Sequence, residues 1–283
     1  MGIEWGVAAL VLLTALIHAS WNAVIKSSGD RLLTTAVVAG SSSLVAAALL
    51  PLVPFPARAA WPYLGVSLGV HSLYLTLLVL AYRYGDLSHV YPIARGLAPM
   101  LVAGLAAVWA GELLALERLA GLAVVSLGIV SLATSPRARG AEVQRPLLLA
   151  LAIGVLIGLY TFLDGQGIRH AAGDLRYIVW HSFLTGIPLA LVALVRRRGR
   201  IVSFLRREGR TGVVAGLLAG AGYAIILWAL GRSSMALVSA LRETSVIFAA
   251  LIGTLLLGEP LARRRVLAAV TVAVGVGLLG VSR

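Results

Sequence analysis

No cysteine occurs in this chain, which excludes disulfides, thiolate catalysis and cysteine metal sites. Charge is almost as scarce: 12% of the residues are charged, where a soluble domain carries roughly 25%. Lys26 is the one lysine. A P-loop, a Gly-rich dinucleotide fingerprint, a metal-ligand cluster and a nucleophile elbow are all missing from the sequence. The expectations therefore contain no cofactor, no bound metal and no ATP-driven step, and any work the protein does draws on an ion gradient or on exchange.

What the chain has instead is apolar length. Of its 283 residues 60% are hydrophobic, and the mean hydropathy is +0.96. Several runs reach the roughly 20 residues that cross a hydrocarbon core of about 30 Å, and the run from Leu32 to Val53 holds no charge. Apolar windows bounded by charge, Pro and Gly predict spans at 5–25, 32–53, 61–82, 89–110, 114–134, 147–165, 176–195, 211–231, 235–257 and 264–281. The first lacks a basic lead and a cleavage site, so it reads as a retained helix and not as a signal peptide. The longest polar stretches, Ser135 to Arg145 and Arg196 to Arg210, are too short to form a soluble domain.

A formal charge of +13 invites a nucleic-acid partner, but the arginines sit in short loops between apolar runs and form no basic stripe. The bilayer and a small molecule are the expected partners. Sixteen of the 24 Lys and Arg residues follow odd-numbered spans, six lie on the opposite side, and Arg95 and Arg242 are inside spans. The positive-inside bias then puts the arginine-rich loops in the cytoplasm and both termini in the periplasm of a bacterial inner-membrane, multi-pass protein.

Sliding the sequence against itself by 147 residues superposes Gly65 on Gly212, Gly69 on Gly216, Arg95 on Arg242, Gly111-Glu112 on Gly258-Glu259, Arg118 on Arg265 and Gly128 on Gly275. Upstream, Gly29-Asp30 meets Gly173-Asp174 at a shift of 144. Coincidence of charged residues is informative where charge is rare. The repeat divides the chain into units 1–135 and 146–283, each of five helices. Because five is odd, the second unit enters the membrane upside down, the inverted-repeat plan of many secondary transporters. The expected fold is thus an all-α polytopic membrane protein of ten transmembrane helices in two inverted five-helix repeats.

The Trp21-Asn22 region of the first helix, and the paired segments Leu87 to Gly121 and Ser234 to Ala268 with their Gly-Glu after a long apolar helix, resemble EamA-type members of the drug/metabolite transporter superfamily. The resemblance covers essentially the whole chain. It implies ten helices in two repeats and export of small compounds such as amino acids, drugs or nucleotide precursors, with phosphorylated sugars carried by wider relatives. Cytoplasmic termini are the family habit, and the loop charge of this chain points the other way.

Arg95 and Arg242 are the sharpest chemical signal. Each lies inside an apolar helix at an equivalent repeat position, where an arginine costs about 2.5 to 3.5 kcal/mol unless a partner or cavity receives it. A guanidinium fork suits a carboxylate, phosphate or phosphonate; the bland reading is that each snorkels to its nearer surface. Glu243 adjoins Arg242 and reads as an ion-pair partner of a neighbouring helix or a proton site, and Asp164 as a second proton-coupling candidate. His71 and Tyr74 share a face at i, i+3, Tyr91 and Arg95 at i, i+4, and His18 and Asn22 at i, i+4 beside Trp21. These eight residues other than the two acids are the candidate substrate contacts. The Gly65-xxx-Gly69, Gly154-xxx-Gly158 and Gly212-xxx-Gly216-xxx-Gly220 spacings read as helix-packing faces.

The reading is an alternating-access secondary carrier, an exporter, for an anionic or zwitterionic metabolite: an amino acid, an organic acid, or a phosphate or phosphonate compound. Its rivals are an exporter of aromatic or apolar compounds, and an intramembrane enzyme on a lipid phosphate, with Arg95 and Arg242 on the headgroup.

Overall fold

The computed structural model describes residues 3–84, 87–133, 141–255 and 263–280. Its helices run α1 Trp5–Ser27, α2 Arg31–Leu49, α3 Trp61–Tyr84, α4 Leu87–Trp109, α5 Leu116–Val130, α6 Ala141–Arg169, α7 Asp174–Arg197, α8 Ile201–Arg232, α9 Met235–Arg242, α10 Ser245–Leu255 and α11 Arg263–Leu279. Regular hydrogen bonding within each helix is what an apolar medium demands, since a backbone group left open to lipid has no water to satisfy it. Five stretches of the described residues are long and apolar enough to cross a membrane, the last of them covering both α7 and α8. Large apolar side chains such as Leu44, Leu113 and Val195 point outward, at 74%, 80% and 80% exposure. That distribution suits lipid, because the hydrophobic effect gives no reason to hide them from it.

Packing follows the repeat. α2 lies on α7 and α5 on α11, each helix against its own counterpart. α1 packs on α8 as α6 packs on α3, and α1 meets α9 and α10 as α6 meets α4. Exchanging the first five crossings for the second five leaves this set of neighbours unchanged.

Three sequence expectations need correction. The ninth span, 235–257, is two helices and not one: after Arg242 the chain tightens, with Glu243 N–H donating to Ala240 C=O and Thr244 N–H to Leu241 C=O, both at 3.1 Å. Thr244 Oγ1 adds a 2.7 Å bond to Leu241 C=O, a local competition that interrupts a regular helix. The arginine stretch 196–210 is mostly helical, because α7 runs on to Arg197 and α8 begins at Ile201. Likewise α6 extends beyond its predicted span at both ends. Gly258, Glu259 and Pro260 lie outside the described residues.

Two of the three glycine spacings mark where helices touch, and the third does not. A Cβ on Gly154 would stand 2.9 Å from Ala94 O, and one on Gly158 2.9 Å from Leu101 Cβ, so α6 presses on α4 through this pair. On α8, a Cβ at Gly216 would meet Val38 O at 2.5 Å and one at Gly220 would meet Ser42 Oγ at 2.5 Å; Ser42 Oγ in turn donates to Gly216 C=O at 2.7 Å. Gly65 and Gly69, in contrast, have nothing within 4 Å of an added Cβ. The spacing is the same, but these two face outward on α3 and pack nothing.

The two glycine sets give a paired test. Gly216→Ala is expected to lower stability by about 1 to 3 kcal/mol through overpacking against α2, while Gly65→Ala is expected to be neutral or slightly stabilising, since alanine is the better helix former. Thermal unfolding of the purified protein in detergent reads both, and equal effects at the two positions would contradict this packing.

Candidate functional site

The helices enclose a cavity of about 410 Å³ reached by eight of them. Its walls come from the C-terminal halves of α1 and α3 and the N-terminal half of α2, with the middle of α7 and α8 opposite. Those halves all point to the membrane face that carries the α1–α2, α3–α4 and α7–α8 connections, which is the arginine-rich face. On the opposite face the way is blocked. Ala57 N–H donates to Ala171 C=O at 3.2 Å, and Phe55 stacks on Trp180 at 4.7 Å with Trp61 edge-on to the same ring at 5.6 Å.

Glu112 adds a charged tie on the blocked face. Glu112 Oε1 pairs with Arg169 Nη1 at 2.5 Å, and Oε2 accepts from the backbone N–H of Met235, the first residue of α9, at 2.9 Å. A carboxylate at a helix N-terminus neutralises the exposed N–H groups there. The preceding glycine explains its position: Gly111 has φ +66, and Glu112 N–H reaches back to Ala106 C=O at 3.0 Å. This back-bond across the left-handed glycine closes the end of α4, where an αL residue after the last turn stops a helix. The Gly-Glu pair seen in the sequence is therefore a helix stop that delivers its carboxylate to the next helix but four.

Inside the cavity, Arg95 and Arg242 do not snorkel. Each is 4% exposed, and Glu243 is fully buried. Arg95 Nε lies 2.7 Å from Glu243 Oε2 and Arg242 Nε 3.6 Å from Glu243 Oε1, so both cations converge on one carboxylate. Neither contact has hydrogen-bond alignment, and we read them as ion pairs. Arg95 Nη2 donates to Ser245 Oγ at 2.9 Å, and Arg242 Nη2 to Thr161 Oγ1 at 3.3 Å. Two side chains adjacent in sequence diverge by about 100° on a regular α-helix. The tightened turn at 243–244 is what lets Arg242 and Glu243 approach the same point. Both guanidinium groups also line the cavity.

The structure brings His71, Tyr74, His18, Trp21 and Asn22 to the same cavity wall. His18 sits edge-on to Trp21 at 4.9 Å, and Asn22 Nδ2 donates to His18 C=O at 2.7 Å. His71 stacks on Tyr160 at 3.9 Å. The side chain of Tyr91 lies outside the described residues. Of the two acids, Glu243 is committed to the arginines, and Asp164 sits behind the wall, fully buried.

Asp164 has a shell the sequence did not show. Its Oδ1 accepts from Ser67 Oγ at 2.5 Å and Tyr177 OH at 3.1 Å, and its Oδ2 from Tyr223 OH at 2.5 Å. His181 Nε2 is 3.4 Å from Oδ1. The donors come from α3, α7 and α8 around an acid on α6, positions spread across 156 residues (67 to 223). No local spacing signals that meeting; the one available hint was that His71, Asp164 and His181 are polar residues inside apolar spans.

Comparison with known proteins agrees with the architecture. The profile of the EamA-like transporter family matches residues 144–281. An uncharacterized protein of Pseudomonas aeruginosa is 31% identical over 266 residues, which cover 88% of this chain and 84% of the relative. A protein of known crystal structure, 19% identical, superposes with a TM-score of 0.73 over 96% of this chain and 94% of its own. At that identity the likeness is one of fold.

Removing the shared carboxylate should leave two buried cations facing each other. Glu243→Gln is expected to destabilise the protein by about 3 to 5 kcal/mol, the cost of breaking a buried ion pair from one side. A melting temperature in detergent unchanged by this substitution would show that the cations are neutralised from elsewhere.

Proposed function

This chain belongs to the EamA-like transporter family, and from that premise we propose that it is a secondary carrier that exports a small anionic or zwitterionic metabolite across the inner membrane by alternating access. The observation that carries the reading is the pair Arg95 and Arg242, buried, one from each repeat, and both lining one cavity. A carboxylate, phosphate or phosphonate entering that cavity meets two guanidinium groups already desolvated, where charge-assisted hydrogen bonds are strong. Trp21, Tyr74 and the Tyr160 ring give the remaining wall an aromatic face, which suits a ligand with an apolar body and an anionic end. Amino acids and organic acids meet that description as well as phosphate or phosphonate compounds do.

The two units, 1–135 and 146–283, supply the symmetry that alternation needs. In the conformation described, the cavity meets the arginine-rich face and the Glu112–Arg169 pair holds the other. The exchange partner of this state closes the arginine-rich side and parts Glu112 from Arg169 and α9. With the arginine-rich loops in the cytoplasm, the described state is the one that loads cargo for export, and both termini are periplasmic.

Two experiments address the proposal. In vesicles, a panel of labelled amino acids, organic acids, phosphates and phosphonates is offered to the wild type and to Arg95→Lys and Arg242→Lys. Lysine keeps the charge and supports Glu243, but lacks the fork. Apparent affinity for the transported anion is expected to fall on the order of 10- to 100-fold, with expression unchanged; transport of neutral apolar compounds with no response to either substitution would favour the rival exporter. For orientation, the absence of cysteine allows single cysteines at Gly199 and Phe55 to be labelled by a membrane-impermeant maleimide in intact cells. Phe55→Cys is expected to react and Gly199→Cys to be protected, and the reverse pattern would invert the assignment of faces.

A further inference from the structure

Resting on the carrier reading above, we propose that Asp164, His181 and His71 form a proton-binding site on the cavity wall, through which cargo movement is coupled to a proton. The argument starts from charge. Asp164 is fully buried and accepts three hydroxyl donors, an arrangement that favours the carboxylate form, because hydroxyl donors stabilise the anion. A lone anion in a low-dielectric interior is costly, and buried charges are paired. Among the described residues, the basic group within ion-pair distance of Asp164 is His181, at 3.4 Å. Histidine is a cation only when it carries a second proton. Charge balance in this pocket therefore requires one proton, held on the acid or on an imidazole.

His181 Nε2 is placed to hold it. That nitrogen is buried and makes no hydrogen bond, while Nδ1 faces Thr185 Oγ1 at 3.4 Å. A proton on Nε2 would give a charged imidazole within ion-pair distance of Asp164 Oδ1, at 3.4 Å. Asp164 does not line the cavity, but His71, His181 and Tyr223 do, and His71 stands edge-on to His181 at 5.3 Å. His71 Nδ1 is held by Ser67 C=O at 3.1 Å and Ser67 Oγ at 3.2 Å. The proton comes from cavity water, forms an N–H or O–H bond within the trio, and returns to water on release; no other bond changes. The other titratable or charged groups facing the trio are Tyr160 on α6, Tyr177 on α7, Tyr223 on α8 and, through its charge, Arg242 on α9.

Two further features separate this cluster from ordinary helix packing. It occurs once. At the repeat shift of 147, His71 meets Leu218, Ser67 meets Val214 and Tyr223 meets Thr76, and at 144 Asp164 meets Ser20 and His181 meets Val37. The duplicated frame thus stands without it in the first unit. It also bridges α3 of one unit with α6, α7 and α8 of the other, so movement between units changes the surroundings of the proton. A metal fits less well: the donor atoms lie up to 4.8 Å from one another, whereas zinc bonds of about 2.0 Å place tetrahedral ligands about 3.3 Å apart.

The test counts protons before any cargo is known. Purified protein in detergent receives an acid pulse across the histidine range, and a pH-indicating dye reports uptake. Wild type is expected to bind a proton that Asp164→Asn does not, and Ser67→Ala is expected to shift the midpoint of that uptake without changing its amount. Uptake identical in wild type and a monodisperse Asp164→Asn would overturn the site and leave the carrier reading standing. If Asp164→Asn does not fold, Ser67→Ala decides alone, and an unmoved midpoint overturns the proposal. Zinc chloride raising the melting temperature of wild type but not of Asp164→Asn would replace the proton by a metal. In vesicles with a trapped pH dye, a wild type that carries cargo without moving protons also overturns coupling, while proton uptake in detergent with no transport in vesicles would sink the carrier reading and not the site.

Discussion

Two guanidinium groups sharing one carboxylate in the middle of an apolar bundle is the constraint on which the remaining architecture depends. Arg95 comes from α4 and Arg242 with Glu243 from the break after α9, with Thr161 of α6 and Ser245 of α10 as further partners. Each of these groups would be expensive in hydrocarbon alone. Together they fix how α4, α6 and α9 approach, and small residues let them do so: Gly154 and Gly158 bring α6 onto α4 in van der Waals contact. The break at 243–244 serves the same constraint, since a regular helix would splay two neighbouring charges apart.

Duplication supplies the frame, and single-copy residues supply what differs within it. The pairings α2 with α7 and α5 with α11 are self-exchanging, and Arg95 and Arg242 are counterparts. Yet Glu243 has no acidic counterpart: the residue after Arg95 is Gly96, against which a Cβ would meet Ser126 O at 2.9 Å. One repeat thus contributes a cation alone and the other a cation with the shared anion. The asymmetry is chemical on a symmetric skeleton.

What the sequence made legible was whatever depends on local length, charge rarity and internal comparison. Apolar runs located the crossings; the shift of 147 paired the arginines; positions such as His18, Trp21, His71 and Tyr74 were found because polar and aromatic residues inside apolar helices are few. Features set by three-dimensional meeting stayed hidden. Nothing in the spacing of Gly65 and Gly69 distinguishes them from Gly212 and Gly216, since a small residue every four marks a face of a helix and not what lies against it. The split of the ninth span was hidden because residues 235–257 read as one apolar run, and Arg95, which the turn lets Glu243 meet, lies 148 residues away (95 to 243). Asp164 drew notice as a charge, but its hydroxyl shell comes from three other helices.

The Gly-Glu motif shows how a local signal can be read correctly and still be underdetermined. Glycine after an apolar helix announces a stop, and the left-handed φ of Gly111 is the reason. The acid after it adds nothing to that stop. Its value lies in where the stop aims it, onto the first N–H of α9 and the side chain of Arg169. Because α9 also carries Arg242 at its other end, only eight residues long from Met235, the tie at Glu112 and the charge cluster at Glu243 grip the two ends of one short rigid rod. Met235 thus lies at the blocked face and Arg242, at the other end of the same helix, lines the cavity. A short helix tied to Glu112 at one end and, through Glu243 and Arg242, to Arg95 and Thr161 at the other thus spans from the blocked face to the cavity as a unit separate from α10, which an unbroken ninth helix would not be.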